Sequence, residues 1–280
     1  MKRTAITLMA IAIFSKVLGF GRELTLSYTY GTSSISDAYL IALTIPSAIL
    51  GFVSNGLVAG YIPMYNRIVA AEGEAGAQTF TSNLVNIMFV ICSIVISVSL
   101  AFTGPIVKFF ASGFSGDTLN LCIRFTKITL LAIYFPSLVA IYTGYLQIKG
   151  NFVVPAFVGV PFNLLVIISL FLSLKLGLVT MAIGFVLAMG AKWFLLIVYA
   201  RSDGYKFRFY LHPRNPRIKE FFLLVLPVII GVSVNEINVL VDRTIASTLV
   251  EGGISALNYA NRLTAFAQGI FVASISTVLY

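Results

Sequence analysis

The chain has 280 residues, 59% of them hydrophobic and only 10% charged, with a formal net charge of +9. Soluble domains are about 45–50% apolar and about 25% charged, so no soluble core hides this much apolar surface and lipid must act as the solvent. The excess of Lys and Arg would suit nucleic acid in a soluble protein, but no basic domain stands apart from the apolar runs, and that class is set aside.

About 20 mostly apolar residues carry a helix across about 30 Å of hydrocarbon. Eight stretches qualify, at roughly 4–30, 36–66, 79–103, 119–147, 153–173, 177–199, 220–248 and 254–280. The predicted fold class is therefore all-α, a polytopic membrane protein. Span 1 follows Lys2-Arg3 and runs past the usual length of a leader's apolar region without a small-residue cleavage site, so it reads as a crossing. Span 2 is too long for one straight crossing, and Pro46 and Pro63 offer places to kink.

The loops set the expected orientation. With the N-terminus inside, the inner segments hold Lys2, Arg3, Arg67, Lys149, Arg201, Lys206, Arg208, Arg214, Arg217 and Lys219, whereas the outer loops hold only Lys108 and Lys175. That bias is decisive under the positive-inside rule. The longest hydrophilic stretch, 201–219, reads either as a plain connector or as an amphipathic segment on anionic headgroups. It divides the chain into a six-helix lobe (1–200), a basic connector (201–219) and the first two spans of a second lobe (220–280). Residues 23–36 align without gaps to 242–255, with Thr25/Thr244, Thr29/Thr248, Ile35/Ile254 and Ser36/Ser255 identical and Glu23 facing Asp242. This weak repeat equates the end of span 1 with the end of span 7, as in transporters built from two parallel halves.

The two cysteines, Cys92 and Cys122, lack metal-site spacing, and the single histidine, His212, sits in the basic connector as a solvated residue. The informative residues are charges inside spans, each costing about 2.5–3.5 kcal/mol at a helix centre unless it is paired or faces a cavity. Lys192 lies beside Trp193 and is expected to snorkel to the interface. On span 1, Lys16 and Glu23 are seven apart and share a face, while Arg22 points about 120° away from Lys16. Span 2 offers a stripe of Asp37, Thr44, Ala48, Gly51 and Asn55, provided Pro46 does not rotate it. Span 7 carries Asn235, Asn238 and Asp242, with Glu236 and Arg243 alongside. Span 8 groups Asn258, Asn261 and Arg262, then Ala265 and Gly269. Ionised residues gathered on spans 1, 2, 7 and 8 predict a polar cavity between two halves and a transporter of an anionic substrate.

The segments `SKVLGFGRELTLSYTYG`, `SDAYLIALTIP`, `LPVIIGVSVNEINVLVDRTIASTL` and `ALNYANRLTAFAQGIF` resemble the MurJ/MviN-type lipid II flippases of the multidrug/oligosaccharidyl-lipid/polysaccharide exporter superfamily. The resemblance implies a MATE-like, V-shaped fold of two six-helix lobes, of which this chain would hold the first eight spans. It implies alternating access in a bacterial cytoplasmic membrane. The cargo would be lipid II, the undecaprenyl-diphosphate-linked precursor of peptidoglycan, carried from the inner to the outer leaflet. Carried over residue by residue, it assigns Lys16, Arg22, Glu23, Asp37 and Arg262 to the substrate, with Lys16 where an arginine is usual. Asp242, with Asn238 one turn away, becomes the candidate for a coupling cation, Na+ or H+; no other cofactor is implied. One departure stands out: Leu50-Gly51 occupy a place where the family usually has arginine, and Asn55 replaces an acid. The competing readings are an exporter of another polyprenyl-linked glycan, a cation-coupled drug antiporter, and a scaffold without transport. An enzyme acting on lipid-linked sugars would need a carboxylate cluster or metal motif at a membrane face, and the loops supply none.

Overall fold

The computed structural model describes the backbone of residues 2–279 and the side chains of residues 6–268 other than 52, 55, 232 and 235–237. The expectations placed on Asn55, Asn235, Glu236 and Gly269 therefore lie outside the described side chains. Helix α1 (Lys2–Tyr30) leads into α2 (Ser34–Pro46). The Ser33 hydroxyl opens α2 by accepting from the Ser36 N–H at 3.4 Å. Because Pro46 supplies no N–H and crowds the preceding turn, the helix relaxes into a π-turn over Ser47–Gly51. That turn resets the register, so the stripe expected from Asp37 to Asn55 does not run on one continuous α-helical face.

Helix α3 (Phe52–Ala101) absorbs Pro63 but is broken into two limbs at Gly73, whose φ of 75° and ψ of 179° suit glycine. There follow α4 (Thr103–Phe110), α5 (Gly116–Thr129), a 3-10 turn and α6 (Tyr134–Ile148). The first part closes with the short α7 (Val153–Phe157), α8 (Gly159–Leu176) and α9 (Val179–Ser202). Beyond the connector lie α10 (Pro216–Ala246) and α11 (Gly253–Leu279). The described residues contain no strand.

Among the described residues, four stretches are long and apolar enough to cross a membrane: Ser34–Ala101, Gly116–Ile148, Val153–Leu176 and Val179–Ser202. The first merges expected spans 2 and 3 across Gly73. Helices α1, α10 and α11 have 29, 31 and 27 residues, ample length for a crossing.

Helix α8 lies against α9 and α1, α2 against α5, and α3 against α6 and α10. One end of the bundle gathers Arg67, Lys149 and the 201–219 segment and is called the basic end below. Near it, α10 meets α3 closely because Gly56 and Gly60 have no side chain; a Cβ at Gly60 would run into Val225 and Leu224. The connector is neither a helix nor a loose loop. Residues 205–212 form no helix and lie along the second limb of α3. His212 N–H donates to Asn83 Oδ1 at 2.7 Å and Asn83 Nδ2 returns a bond to the His212 carbonyl at 3.0 Å. Asn86 Nδ2 donates to the Tyr210 carbonyl at 3.0 Å, and Arg208 N–H to Ser82 Oγ at 3.2 Å. His212 itself stacks on Tyr210, ring centroids 4.7 Å apart.

The weak repeat has a structural counterpart. Helices α2 and α11 begin at Ser34 and Gly253, which are 219 residues apart, the same offset that aligns 23–36 with 242–255. Asp37 N–H bonds to the Ser33 carbonyl at 3.0 Å and Ala256 N–H to the Gly252 carbonyl at 2.9 Å, so both helices start one residue after equivalent turns.

Candidate functional site

Glu23 is the centre of the polar arrangement. It sits late on α1, with its side chain only 8% exposed, and a carboxylate so placed needs partners. Arg22 supplies one, its Nη2 lying 2.6 Å from Glu23 Oε1. Helix α11 supplies the others: Asn258 Nδ2 donates to Oε2 at 2.9 Å, and Arg262 Nε lies 3.7 Å from Oε1. Asn258 is itself held, accepting from Arg243 Nη2 at 3.4 Å, while Arg243 Nη1 donates to the Leu40 carbonyl at 2.9 Å. Residues from α1, α2, α10 and α11 thus meet in one network.

Two recesses flank it. One, of about 300 Å³, is lined by Lys16, Gly19, Phe20, Arg22, Glu23, Arg262, Ala265 and Phe266, with Phe20 and Phe266 stacked 4.5 Å apart at its wall. Its three cations face one carboxylate, so its field is positive. The other, of about 250 Å³, is lined by Asp242, Arg243, Asn258, Asn261 and Arg262 among others. Arg262 and Ala265 line both, which makes the two recesses neighbours across α11.

The sequence-derived candidates separate accordingly. Lys16, Arg22, Glu23 and Arg262 come together as one site. Arg22, expected to point away from the Lys16–Glu23 face, does leave it toward α8, where its guanidinium lies 5.7 Å from the Phe162 ring centroid. Its length lets it reach Glu23 all the same. Asp37 does not join them. It is 2% exposed, and its two oxygens accept from the Gly252 N–H at 2.8 Å and the Ser255 N–H at 2.7 Å. The carboxylate is engaged at the start of α11, where the helix dipole favours a negative charge. Its lining role is in a different recess, with Gly113, Ser115 and Glu251.

Asp242 is exposed on α10 and forms no ion pair among the described residues; Asn238 is exposed on the same helix. The recess of Asp242 also holds Arg243 and Arg262, and neighbouring guanidinium groups compete with a metal cation for a carboxylate.

Lys192 departs from expectation. It stands ten residues before Ser202, the end of α9, about 15 Å at 1.5 Å per residue, deeper than a snorkelling lysine needs to be. Its Nζ lies 5.9 Å from the centroid of Phe162, the ring that Arg22 also uses. Phe162 in turn meets Phe185 edge-on at 5.9 Å. No sequence signal joins Lys192 to Arg22, because the ring between them belongs to a third helix.

The sequence pattern described as lipid II flippase MurJ matches residues 26–280. The chain belongs to the MurJ lipid II flippase family. Among curated relatives, a probable lipid II flippase MurJ of Buchnera aphidicola is 27% identical over 99% of this chain and 55% of its own length. One from Aquifex aeolicus is 29% identical over 95% of this chain and 53% of its own. A solved lipid II flippase MurJ in an inward closed conformation superposes with a TM-score of 0.83 at 28% identity, over 98% of this chain and 57% of that one. An inward-facing multidrug MATE transporter of the MOP superfamily superposes with a TM-score of 0.68 at 15% identity, over 93% of this chain and 61% of that one, which shows a shared fold. The chain is thus a multi-pass membrane protein of a transporter family with a MATE-like fold, and it spans about half the length of the relatives it matches.

Proposed function

We propose that this chain carries the N-terminal part of a lipid II flippase, with the recess beside Glu23 receiving the diphosphate of an undecaprenyl-linked glycan. The observation that carries the reading is the convergence of Arg22 from α1 and Arg262 from α11 on one buried carboxylate beside Lys16. Phosphate next to a lipid tail arrives while still partly in hydrocarbon, where a charge-assisted hydrogen bond is roughly twice as strong as a neutral one. Arginine offers a planar fork that grips two phosphate oxygens, and lysine a point charge. Glu23 keeps the guanidinium groups oriented and competes with phosphate for them, which favours release. The positive lining speaks against a cationic drug as cargo. The test is leaflet accessibility of lipid II in cells whose only flippase carries Arg22→Ala with Arg262→Ala. Flipping should fall at least tenfold at normal protein levels, and sustained flipping would sink the reading.

The orientation belongs to the same proposal: a bacterial cytoplasmic membrane with the basic end inside, as the loop charges argue. A single cysteine at Leu249, 70% exposed at the far end, should react with an impermeant thiol reagent on intact cells. One at Arg208 should not. The reverse pattern inverts the topology.

A further inference from the structure

Among the described residues, Lys192 is a cation without a counter-charge. It is half-buried in α9 and, among the described residues, has neither an ion pair nor a hydrogen bond. An intramembrane charge is retained against its insertion cost when it faces a cavity or a ligand. The aromatic contact with Phe162 orients the ammonium and offsets part of that cost without neutralising it. Arg22, on the same ring, is in the opposite condition: Glu23 at 2.6 Å already satisfies it. Arg262 likewise leans on Glu23. In this arrangement the guanidinium groups are occupied, whereas Lys192, half-buried on the ring that Arg22 also uses, has no counter-charge among the described residues.

We propose that Lys192 is a phosphate-binding residue of the cargo site, acting with Arg22 across Phe162. This rests on the reading of the cargo as a polyprenyl diphosphate and extends its site from the α1–α11 seam onto α8 and α9. Lys192 attracts the diphosphate electrostatically while Glu23 still holds the arginines. The incoming anion then draws Arg22 off Glu23, and the two cations bind it together beside the Phe162 ring. Lysine suits this task because a point charge accepts phosphate from any direction, whereas the arginine fork fixes the final geometry.

The experiment measures binding of undecaprenyl diphosphate and of undecaprenol, which has no phosphate, to the purified protein in detergent. The variants are Lys192→Met, Lys192→Gln, Lys192→Arg and the Arg22→Ala, Arg262→Ala double. Lys192→Met should weaken diphosphate binding about tenfold or more and leave undecaprenol unchanged, and Lys192→Arg should stay within about threefold of wild type. Lys192→Gln gives the same reading if the methionine variant does not fold. If the neutral variants bind diphosphate normally while the double arginine variant does not, the role of Lys192 is overturned and the cargo reading stands. Equal damage from Lys192→Arg and Lys192→Met, or equal damage to both ligands, would assign Lys192 to packing and also overturn it. If none of the variants affects binding, both proposals fall together.

Discussion

The bundle is fastened at both ends, by opposite means. At the basic end the ties between α3 and its neighbours are ion pairs at half-exposed positions: Arg67 with Glu220, Arg217 with Glu72 at 2.9 Å, and Lys149 with Glu74. Exposed pairs contribute about 0–1 kcal/mol each and are weakened by salt. At the far end the tie is Asp37, buried, accepting two short backbone hydrogen bonds from the start of α11. Tyr259 adds a bond to the Gly31 carbonyl at 3.0 Å. Hydrogen bonds to a charged group are each worth about 1.5–3 kcal/mol, and a desolvated one is hard to replace. The two fastenings therefore differ in strength and in their response to salt.

Asp37→Asn is the strongest way to break that inequality. The side chain keeps its shape but loses its charge, and one of its two ends becomes a donor facing a backbone N–H. The far end should loosen by about 2 kcal/mol. Hydrogen exchange of the amides from Gly252 to Ala256 should then speed up by more than tenfold, with little change at the basic end. Unchanged exchange there would mean that Asp37 is not the fastening and that the asymmetry is only apparent.

Arg217→Ala sharpens the comparison from the other side. It removes the contact to Glu72 and the weaker one to Glu220 at 3.7 Å. The loss should be below about 1 kcal/mol in low salt and should shrink further in 1 M salt, where the Debye length is about 3 Å. Exchange in the first turns of α10 should rise less than about fivefold. A large, salt-independent effect would place the basic-end fastening in packing, for instance at Gly60 and Val225, instead of in charge.

The sequence made some of this legible. The hydrophobic runs anticipated a bundle of long apolar helices, although expected spans 2 and 3 merge across Gly73, and the offset of 219 anticipated the common register of α2 and α11. The convergence of Arg22, Glu23 and Arg262 was visible as charges that no lipid-facing helix would carry, and the family resemblance put them in one site. Asp37 looked the same by that criterion, yet its partners are backbone N–H groups more than 200 residues away, which carry no side-chain signature. Lys192 was read by its sequence neighbour Trp193, whereas its determining neighbour is Phe162 on α8. The contacts of the connector were hidden for a related reason. Ser82, Asn83 and Asn86 on α3 drew no attention in the sequence, and only the fold shows them holding the connector.

The smallest expected effect concerns Glu74, beyond the Gly73 break and outside the apolar spans. Its carboxylate accepts from Tyr65 Oη at 2.7 Å and pairs with Lys149. Partial burial works to raise its pKa, but the bonds from Lys149 and Tyr65 outweigh that and hold it below the ordinary glutamate value. A carboxylate whose folded pKa is depressed binds fewer protons than in the unfolded chain, so its contribution is complete above the ordinary glutamate range. The contribution declines as the pH falls below that range and is gone once the pH passes under the lowered folded value. With the side chain 44% exposed, solvent screens the pair and the effect stays small. Melting temperatures of wild type and Glu74→Gln, compared in the same detergent, should differ slightly at neutral pH and converge as the solution is acidified. A gap that persists unchanged through that range would show that Glu74 acts by shape alone. The weaker fastening at the basic end would then have one charge fewer than its geometry implies.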